Sequence, residues 1–516
     1  MNGAESLVQT LTEQGVDICF ANPGTSEMHF LKALENPRMK SVLCLFEGVC
    51  TGAADGYYRM KGRPASTLLH LGPGLANGLA NIHNAKRASS GMVNIVGEHS
   101  AAHLKYDPPL MSDIEGLARP LSHWVRRVES ADAVAWDVSA AIAKASEQPG
   151  QIATLLLPGD ASWQEAGAQP GAPLTRAAAS AKLPDAARVE HVARVLKSGE
   201  PTLLILAGMA TRGRAVELAG KIKAATGCRV ATQFFTSRIE RGAGRFTLER
   251  IPYAVGPALD YLKPFKHIVT VDTTEPIAFF SYPDKPSLLK APGTSVHALV
   301  ESGESSEAGL EMLVHALGAS NTPALLQPRA EALAPSGKLT PATIAAALAA
   351  ALPENAILVD ESLTTGRETM GLTVGAAPHD LINNMGGSIG YGTPVATGAA
   401  LACPDRRVFC MVGDGSAMYT IQSLWTQARE GLDITTIIFA NNSYAILKQE
   451  YANMGAGAPG PQALAMIDID RPRIDWLAMA KSMGVPAVAV DSAEAFHKAM
   501  VDSAREQGPT LIEVRL

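Results

Sequence analysis

Asp414 and Asn441 constrain the fold of this chain more than any other feature of its sequence. A buried apolar strand is predicted before each of them, over 407–412 and 434–440, and the helical spacing of 421–429 predicts a crossover helix between the strands. Parallel strands joined in this way end at the same edge of a sheet, where ligands bind in open α/β folds. The sequence therefore predicts a carboxylate and an amide side by side at a ligand-binding edge. Together with a diphosphate, such oxygen donors suit Mg²⁺.

Composition places the chain among ordinary globular proteins. Hydrophobic residues make up 47% and charged residues 18% of its 516 residues, which is enough apolar material for several buried cores. The formal net charge of −6 gives no electrostatic reason to expect nucleic acid or an anionic membrane as a partner.

The cysteines and the N-terminus bear on the compartment. The six cysteines form no C-x-x-C pair, which favours reduced thiols over disulfides or a zinc site. The first residues lack a basic segment followed by a long apolar one, so we expect no signal peptide, and no stretch reaches the length of a membrane span. We therefore expect a cytoplasmic protein.

Two segments divide the chain into three blocks. Residues 164–184 and 320–336 are rich in alanine, proline and other small residues and are predicted to be linkers. The blocks between them, 1–163, 185–320 and 337–516, each alternate buried strands with helices. The predicted fold class is α/β, with three doubly wound parallel-sheet domains.

Polar groups also follow three predicted strands of the first block. They are the turn Phe20-Ala-Asn-Pro-Gly-Thr-Ser-Glu27, the first helical residue Glu47, and His70. Taken singly, each has a plain structural explanation as a turn with a helix cap, a contact with the helix dipole, or a satisfied histidine. Three of them at one sheet edge indicate a functional site.

With these motifs the chain resembles the thiamine diphosphate (ThDP)-dependent 2-oxo acid decarboxylases and carboligases, in particular benzoylformate decarboxylase and the acetolactate synthase large subunit. The resemblance spans nearly the whole chain and is strongest over 20–85, 357–400 and 407–447. It implies that the three blocks are, in order, a pyrimidine-binding domain, a Rossmann-like central domain and a diphosphate-binding domain.

The resemblance assigns roles to residues of the first block. Glu47 matches the glutamate that bonds the pyrimidine of the cofactor and promotes formation of its ylid. His70 matches a proton-shuttling histidine of benzoylformate decarboxylase, and Thr25 replaces a serine of that enzyme with another hydroxyl. The remaining matches line the cofactor site: Asn22, Pro23, Gly24 and Asn77.

In the last block the resemblance implies the metal and diphosphate sites. Asp414, Asn441 and the carbonyl of Ser443 would ligate Mg²⁺. The carbonyl of Gly387 would hold the aminopyrimidine, and Ile389 would support the bent shape of the cofactor. Further contacts to the diphosphate would come from Thr364, Thr365, Gly415, Ser416 and Tyr444.

The implied activity is decarboxylation of a 2-oxo acid through ylid and enamine intermediates. The enamine is then either protonated to an aldehyde or attacks a second carbonyl, that of an aldehyde or another 2-oxo acid. A proton relay at His70 favours decarboxylation with carboligase activity; the alternatives are acetolactate synthase-type ligation of two 2-oxo acids and a non-catalytic or regulatory paralogue. The family also implies a homodimer as the minimum active unit and a homotetramer as the usual form.

The central block departs from the family pattern. The second histidine of benzoylformate decarboxylase has no counterpart in 239–246, the stretch expected to replace it. No FAD-holding pattern is recognised, and the Gly208–Gly213 loop is either a strand–helix turn or a phosphate cradle. A flavin- or CoA-dependent relative is therefore a further alternative.

Overall fold

A computed structural model describes residues 1–167 and 181–516 and contains three β-sheets, each covered by helices. The predicted fold class, three parallel-sheet α/β domains, is confirmed. The first predicted linker lies partly outside the described residues. The second, 320–336, holds no helix or strand.

The first sheet has the strand order β2-β1-β3-β4-β6-β5, and all its neighbours are parallel. Its strands are β1 (Ile18–Asn22), β2 (Lys40–Leu43), β3 (Ala65–Leu69), β4 (Met92–Glu98), β5 (Trp124–Arg127) and β6 (Ile152–Pro158). The helices of this block are α1 (Gly3–Glu13), α2 (Met28–Ala33), α3 (Glu47–Lys61), α4 (Leu71–Arg87), α5 (Ala101–Leu104), α6 (Ile114–Ala118), α7 (Val134–Ala145) and α8 (Gly159–Trp163). β3 and β4 are buried along their whole length, as apolar strands covered on both faces must be.

The second sheet has the order β10-β8-β7-β11-β12 and is also parallel. The strands of this block are β7 (Thr202–Leu206), β8 (Arg229–Thr232), β9 (Ile239–Arg241), β10 (Glu249–Arg250), β11 (His267–Val271) and β12 (Ser295–Val300). Its helices are α9 (Ala186–Lys197), α10 (Gly213–Thr226), α11 (Val255–Leu262) and α12 (Ser306–Ala316). β9 does not join this sheet.

The third sheet has the order β17-β18-β16-β15-β13-β14-β9. Its own strands are β13 (Ala356–Glu361), β14 (His379–Asn383), β15 (Val408–Gly413), β16 (Ile434–Ala440), β17 (Ala487–Val490) and β18 (Thr510–Arg515). Its helices are α13 (Pro341–Ala351), α14 (Thr369–Leu372), α15 (Gly392–Ala402), α16 (Asp414–Ala417), α17 (Ser423–Glu430), α18 (Ala445–Asn453), α19 (Pro461–Ala465), α20 (Trp476–Ser482) and α21 (Ala493–Arg505). β9, from the second block, closes one edge as an antiparallel strand against β14.

The three blocks share buried cores. One apolar cluster combines residues of the first and third blocks, and another combines the second and third. α3 and α15 approach so closely that a Cβ on Gly398 would lie 1.8 Å from the carbonyl oxygen of Ala53, and one on Gly56 would lie 2.1 Å from that of Val395. Only glycine allows this backbone contact.

Arg59 connects the same interface to the second block. This buried side chain pairs with Asp55 at 2.6 Å and donates to the carbonyl oxygens of Asn383 (2.6 Å) and Ser237 (3.3 Å). A buried charge needs such partners to be stable. Among the described residues, no helix is long and apolar enough to cross a membrane.

Candidate active site

Glu47 and Asn77 meet where the first turns of two helices converge. α3 begins at Glu47, directly after the extended N-cap residue Phe46, and the Glu47 side chain is 6% exposed. Asn77, in the second turn of α4, donates from Nδ2 to Glu47 Oε2 at 3.0 Å. A Cβ on Gly74 would lie only 3.0 Å from Glu47 Oε1, so the small residue lets α4 approach the carboxylate. The structure thus brings together a predicted catalytic residue and a predicted cofactor-binding residue.

His70 caps α4 and is held by a carboxylate that the sequence analysis did not select. His70 Nδ1 lies 2.9 Å from Oε2 and 3.0 Å from Oε1 of Glu27, which is almost fully buried. Gly24 N and Ser26 Oγ also donate to Glu27, at 2.7 and 2.5 Å. A carboxylate can only accept, so Nδ1 carries a proton, and Nε2 is the acceptor in the neutral form of the ring.

The turn after β1 carries two hydroxyl residues, and Ser26 rather than Thr25 is the one close to His70. Thr25 is exposed, and its hydroxyl has no hydrogen-bond partner among the described residues. The neighbouring Ser26 is the hydroxyl nearest to His70, with Oγ 3.5 Å from Nδ1. Asn22 and Pro23 lie half-buried at the end of β1. A Cβ on Gly24 would lie 2.1 Å from His70 Nδ1, so the glycine makes room for the imidazole.

Asp414 and Asn441 lie next to each other, as their strands predict. The register of β15 and β16 places Gly413 opposite Phe439, so both side chains follow the same edge of the sheet. Asp414 is 2% exposed, and its two carboxylate oxygens accept from Gly415 N (2.8 Å) and Asn442 N (2.6 Å). Burial raises the pKa of Asp414 above its ordinary value, and the backbone hydrogen bonds only partly oppose this.

The segment after Asn441 completes a set of hard oxygen donors. Asn441 Oδ1 accepts from Ser443 N at 3.0 Å, and Ser443 Oγ donates to Asp468 at 2.8 Å. The aromatic ring of Tyr444 covers Gly415, where a Cβ would lie 2.4 Å from it. A buried carboxylate with amide and carbonyl oxygens beside it is the donor chemistry that Mg²⁺ prefers, so these residues fit the predicted ion. Ser416 is buried at the same strand end.

Residues 386–390 form the turn that carries Gly387 and Ile389, called the glycine turn below, and the Gly387 carbonyl is free for a ligand among the described residues. Gly387 adopts a φ of +77°, which favours glycine, and it is exposed. Its amide donates to Asn384 Oδ1 at 2.9 Å, whereas its carbonyl oxygen accepts no hydrogen bond from the described residues. Ile389 lies half-buried two residues later. The aminopyrimidine of ThDP needs an acceptor of this kind, so the turn fits the cofactor.

Thr364 and Thr365 lie in the loop after β13. Thr365 is buried and donates its amide to the carbonyl oxygen of Ser362 at 3.1 Å. Neither threonine hydroxyl has a hydrogen-bond partner among the described residues, so both are available to a ligand.

Glu361, at the end of β13, is a second residue that the sequence analysis missed. Its carboxylate accepts from the amides of Gly390 (2.8 Å), Tyr391 (3.2 Å) and Gly392 (2.7 Å), and so caps the N-terminus of α15. Burial raises the pKa of Glu361 to about 7, and the three hydrogen bonds only partly offset this effect. A carboxylate at a strand end was visible in the sequence, but its distant partners were not.

The central-block segment that contacts the glycine turn contains Phe279 and is not the expected segment 239–246. Residues 239–246 were expected to replace the second histidine, but β9 lies at the edge of the third sheet. Phe279 is instead the central-block residue at the glycine turn, since its Cζ is 2.9 Å from where a Gly387 Cβ would be. Phe279 and Phe280 form an edge-to-face pair with centroids 4.8 Å apart, and both are exposed.

The Gly208–Gly213 loop forms a short 3₁₀ turn and then leads into α10. The amide of Gly213 at this helix start is bonded to Glu240 Oε2 at 2.9 Å. A carboxylate thus occupies the position that a phosphate would take, which favours the strand–helix turn over a phosphate cradle.

The predicted residues form two groups within one chain. One contains Glu47, Asn77 and His70 of the first block, and the other contains Asp414 and Asn441 of the third. Among the described residues, no hydrogen bond or ion pair joins the first group to the second. The glycine turn, however, contacts α4 of the first block directly.

Comparisons with known proteins agree with this architecture. Residues 1–118 match the family described as thiamine pyrophosphate enzyme, N-terminal TPP binding domain, and residues 366–514 match its C-terminal TPP binding domain. The chain is 49% identical over 520 residues to a putative acetolactate synthase large subunit, IlvX, of Mycobacterium tuberculosis, covering 100% of this chain and 99% of that protein. It is 29% identical over 528 residues to benzoylformate decarboxylase of Pseudomonas aeruginosa, covering 98% and 97%.

A solved structure extends the likeness to three dimensions. The ThDP-dependent 4-hydroxybenzoylformate decarboxylase of Rhodococcus jostii superimposes with a TM-score of 0.89 at 25% identity, covering 100% of this chain and 99% of that one. Three findings lead to one conclusion: sequence identity over the full length, matches to both cofactor-binding domains, and a common fold. The chain belongs to the thiamine pyrophosphate (ThDP) enzyme family, which includes 2-oxo acid decarboxylases and acetolactate synthases.

Proposed function

We propose that the protein is a ThDP- and Mg²⁺-dependent decarboxylase of a 2-oxo acid, with carboligase activity as a second outcome. The observation that supports this proposal most is the 2.9 Å contact of His70 with the buried Glu27 carboxylate, at the sheet edge that also carries Glu47. An enzyme that releases an aldehyde must protonate the carbon that has lost CO₂, and an imidazole that can both take up and give a proton is suited to that step.

ThDP, when bound, supplies the electron sink that takes up the electron pair released with CO₂. Glu47 would accept a hydrogen bond from the pyrimidine and so favour the tautomer whose exocyclic nitrogen can act as a base. Asn77 keeps the Glu47 carboxylate in place through its 3.0 Å hydrogen bond. His70, oriented by Glu27, holds and delivers a proton through Nε2, and Thr25 provides a hydroxyl at the exposed side of the turn.

The third block holds the charged end of the cofactor in this proposal. Asp414, Asn441 and the Ser443 carbonyl would hold Mg²⁺, whose charge would offset the cost of burying the Asp414 carboxylate beside a diphosphate. The diphosphate contacts come from backbone and hydroxyl groups of the surrounding loops: Thr364, Thr365, Gly415, Ser416 and Tyr444.

The substrate has an apolar side chain in this proposal, because Phe279 and Phe280 expose aromatic surface at the glycine turn. Apolar surface of this kind excludes water and favours burial of a hydrocarbon or aromatic group.

Acetolactate synthase-type ligation is the second candidate, and the 49% identity to a putative acetolactate synthase large subunit favours it. The two activities differ in the fate of the carbon that loses CO₂, which is protonated in one and joined to a second carbonyl in the other. Incubation with pyruvate or benzoylformate, with and without an aldehyde acceptor, distinguishes them by product mass. A 2-hydroxy ketone or acetohydroxy acid as the sole product would replace our first candidate by the second.

Glu47→Gln tests whether the fold is used for catalysis at all. We expect this variant to bind ThDP in calorimetry, since the side chain is isosteric, while CO₂ release falls by about 100-fold or more because the carboxylate is lost. Gln9→Ala, a half-buried position in α1 whose side chain bonds Glu13 of the same helix, serves as the control and should leave both measurements unchanged. A wild-type protein that binds ThDP but turns over no 2-oxo acid would instead support a non-catalytic paralogue.

A further inference from the structure

Helix α4 of the first block holds the glycine turn of the third block through three side chains. His83 Nε2 lies 3.0 Å from Gly386 O, Asn81 Nδ2 donates to Gly390 O at 3.2 Å, and Asn84 contacts Ser388 twice. The same face of the helix carries Asn77, which donates to Glu47 about one turn before Asn81.

Asn84 is the central contact of this group. Its side chain is fully buried, and its Oδ1 accepts from Ser388 N at 3.2 Å while its Nδ2 donates to Ser388 O at 2.9 Å. Nδ2 also donates to Asn81 Oδ1 at 2.9 Å, so the amide is fully engaged and its orientation is determined. A Cβ on Gly386 would lie 2.4 Å from Asn84 Oδ1, so only glycine lets the side chain reach the turn.

The geometry of the peptide unit gives this contact a directional effect. The amide of Ser388 and the carbonyl of Gly387 belong to one trans peptide, in which N–H and C=O point in opposite directions. By accepting from Ser388 N–H, Asn84 turns the Gly387 carbonyl away from α4. That carbonyl accepts no hydrogen bond from the described residues, although the neighbouring peptide groups of the turn are bonded to His83 and Asn384.

We propose that Asn84 is a positioning residue that aims the Gly387 carbonyl at the exocyclic amino group of the cofactor pyrimidine. This inference rests on the proposed function, which places the aminopyrimidine at Gly387. Glycine at φ +77° has little intrinsic preference between orientations of this peptide, so a side chain must select one. Asn84 thereby sets both the affinity for the pyrimidine and its tautomer.

The experiment compares two ligands on the apo protein. ThDP and an analogue with hydrogen in place of the exocyclic amino group are titrated calorimetrically in excess Mg²⁺. Only ThDP can donate to the Gly387 carbonyl, so the ratio of the two dissociation constants reports that hydrogen bond. In Asn84→Ala we expect the ratio to fall by about tenfold, the value of one aimed hydrogen bond. Asn84→Asp keeps the acceptor for Ser388 N–H and should retain the wild-type ratio.

The possible results distinguish a failure of the Asn84 inference from a failure of the proposed function. Equal weakening of both ligands in Asn84→Ala, or no change, would show that Asn84 only joins two domains and would overturn the inference. Asn84→Ser, whose hydroxyl is too short to reach Ser388, replaces the alanine variant if that protein does not fold, with the same expected ratio. A wild-type protein that binds neither ligand would overturn the proposed function itself.

Discussion

At the residue scale, the most consequential contact is that between Glu27 and His70, 43 positions apart in the chain. The hydrogen-bond partner of one histidine nitrogen decides which of the two ring nitrogens is free. It therefore also decides in which direction the ring can transfer a proton. Because Glu27 accepts from Nδ1, Nε2 is the nitrogen of His70 that would transfer a proton in the proposed function. The role of a histidine as proton relay thus depends on a buried carboxylate that belongs to the turn after β1.

Glu27→Gln tests this dependence. The amide can present its NH₂ group to Nδ1 and stabilise the opposite tautomer, in which Nε2 carries the proton. We expect kcat for 2-oxo acid decarboxylation to fall about tenfold or more, with a smaller change in KM and unchanged ThDP affinity. Steady-state kinetics of CO₂ release across pH 5–8 measure this effect.

Ser26→Ala is the matched control for the Glu27 prediction. It removes one donor to the Glu27 carboxylate and leaves the contact with His70 intact, so its kcat should stay close to that of the wild type. Equal losses in both variants would mean that the turn as a whole matters and that the His70 tautomer does not.

At the element scale, α15 depends on a carboxylate from a strand. Glu361 accepts the first amides of the helix, and burial raises its pKa to about 7 from an ordinary 4.5. A raised pKa means that the folded protein binds a proton more tightly than the unfolded chain does. The stabilising contribution of this proton is complete below pH 4.5 and is lost as the pH rises through about 7.

Glu361→Gln therefore has a stability effect that depends on pH in a defined direction. Glutamine does not titrate, so between pH 5 and pH 8 the free energy of unfolding of the wild type should fall relative to that of the variant. One proton limits the slope of this difference to about 1.4 kcal/mol per pH unit. Urea denaturation of both proteins at each pH measures it. A difference that is constant, or that grows in favour of the wild type, would contradict the assigned pKa.

At the scale of the whole molecule, the three domains are packed into shared cores, yet within residues 1–167 and 181–516 no hydrogen bond or ion pair joins the two groups of predicted site residues. The first group centres on Glu47 and the second on Asp414. The resemblance leads us to expect that the pyrimidine site of one subunit faces the diphosphate site of another, and this expectation can be tested.

Mixing two inactive variants tests the shared site. Glu47→Gln and Asp414→Asn should each be inactive, because each removes one essential group from every site. A heterodimer of the two variants contains one site with both groups intact. Random pairing after dissociation makes half of the dimers heterodimers, so about a quarter of the wild-type activity should return.

The control for the mixing experiment is each variant carried alone through the same dissociation and reassociation. Activity that stays absent in the mixture, while mixed dimers are shown to form, would place Glu47 and Asp414 of the same chain in one site.

The sequence alone predicted the strand–helix order, the three domains and the polar groups at strand ends. These features are local: apolar periodicity and turn residues determine elements, and parallel strands must end at a common edge. Asp414 beside Asn441 follows directly from that rule.

Only the tertiary structure decided which groups touch across long stretches of chain. Four features depend on how separate elements pack. They are the hydrogen bond between Glu27 and His70, the pairing of β9 with the third sheet, the contact of Phe279 with the glycine turn, and the hydrogen bonds of Asn84 to Ser388. No local pattern encodes these contacts, since each arises from burial and hydrogen-bond satisfaction among residues far apart in sequence.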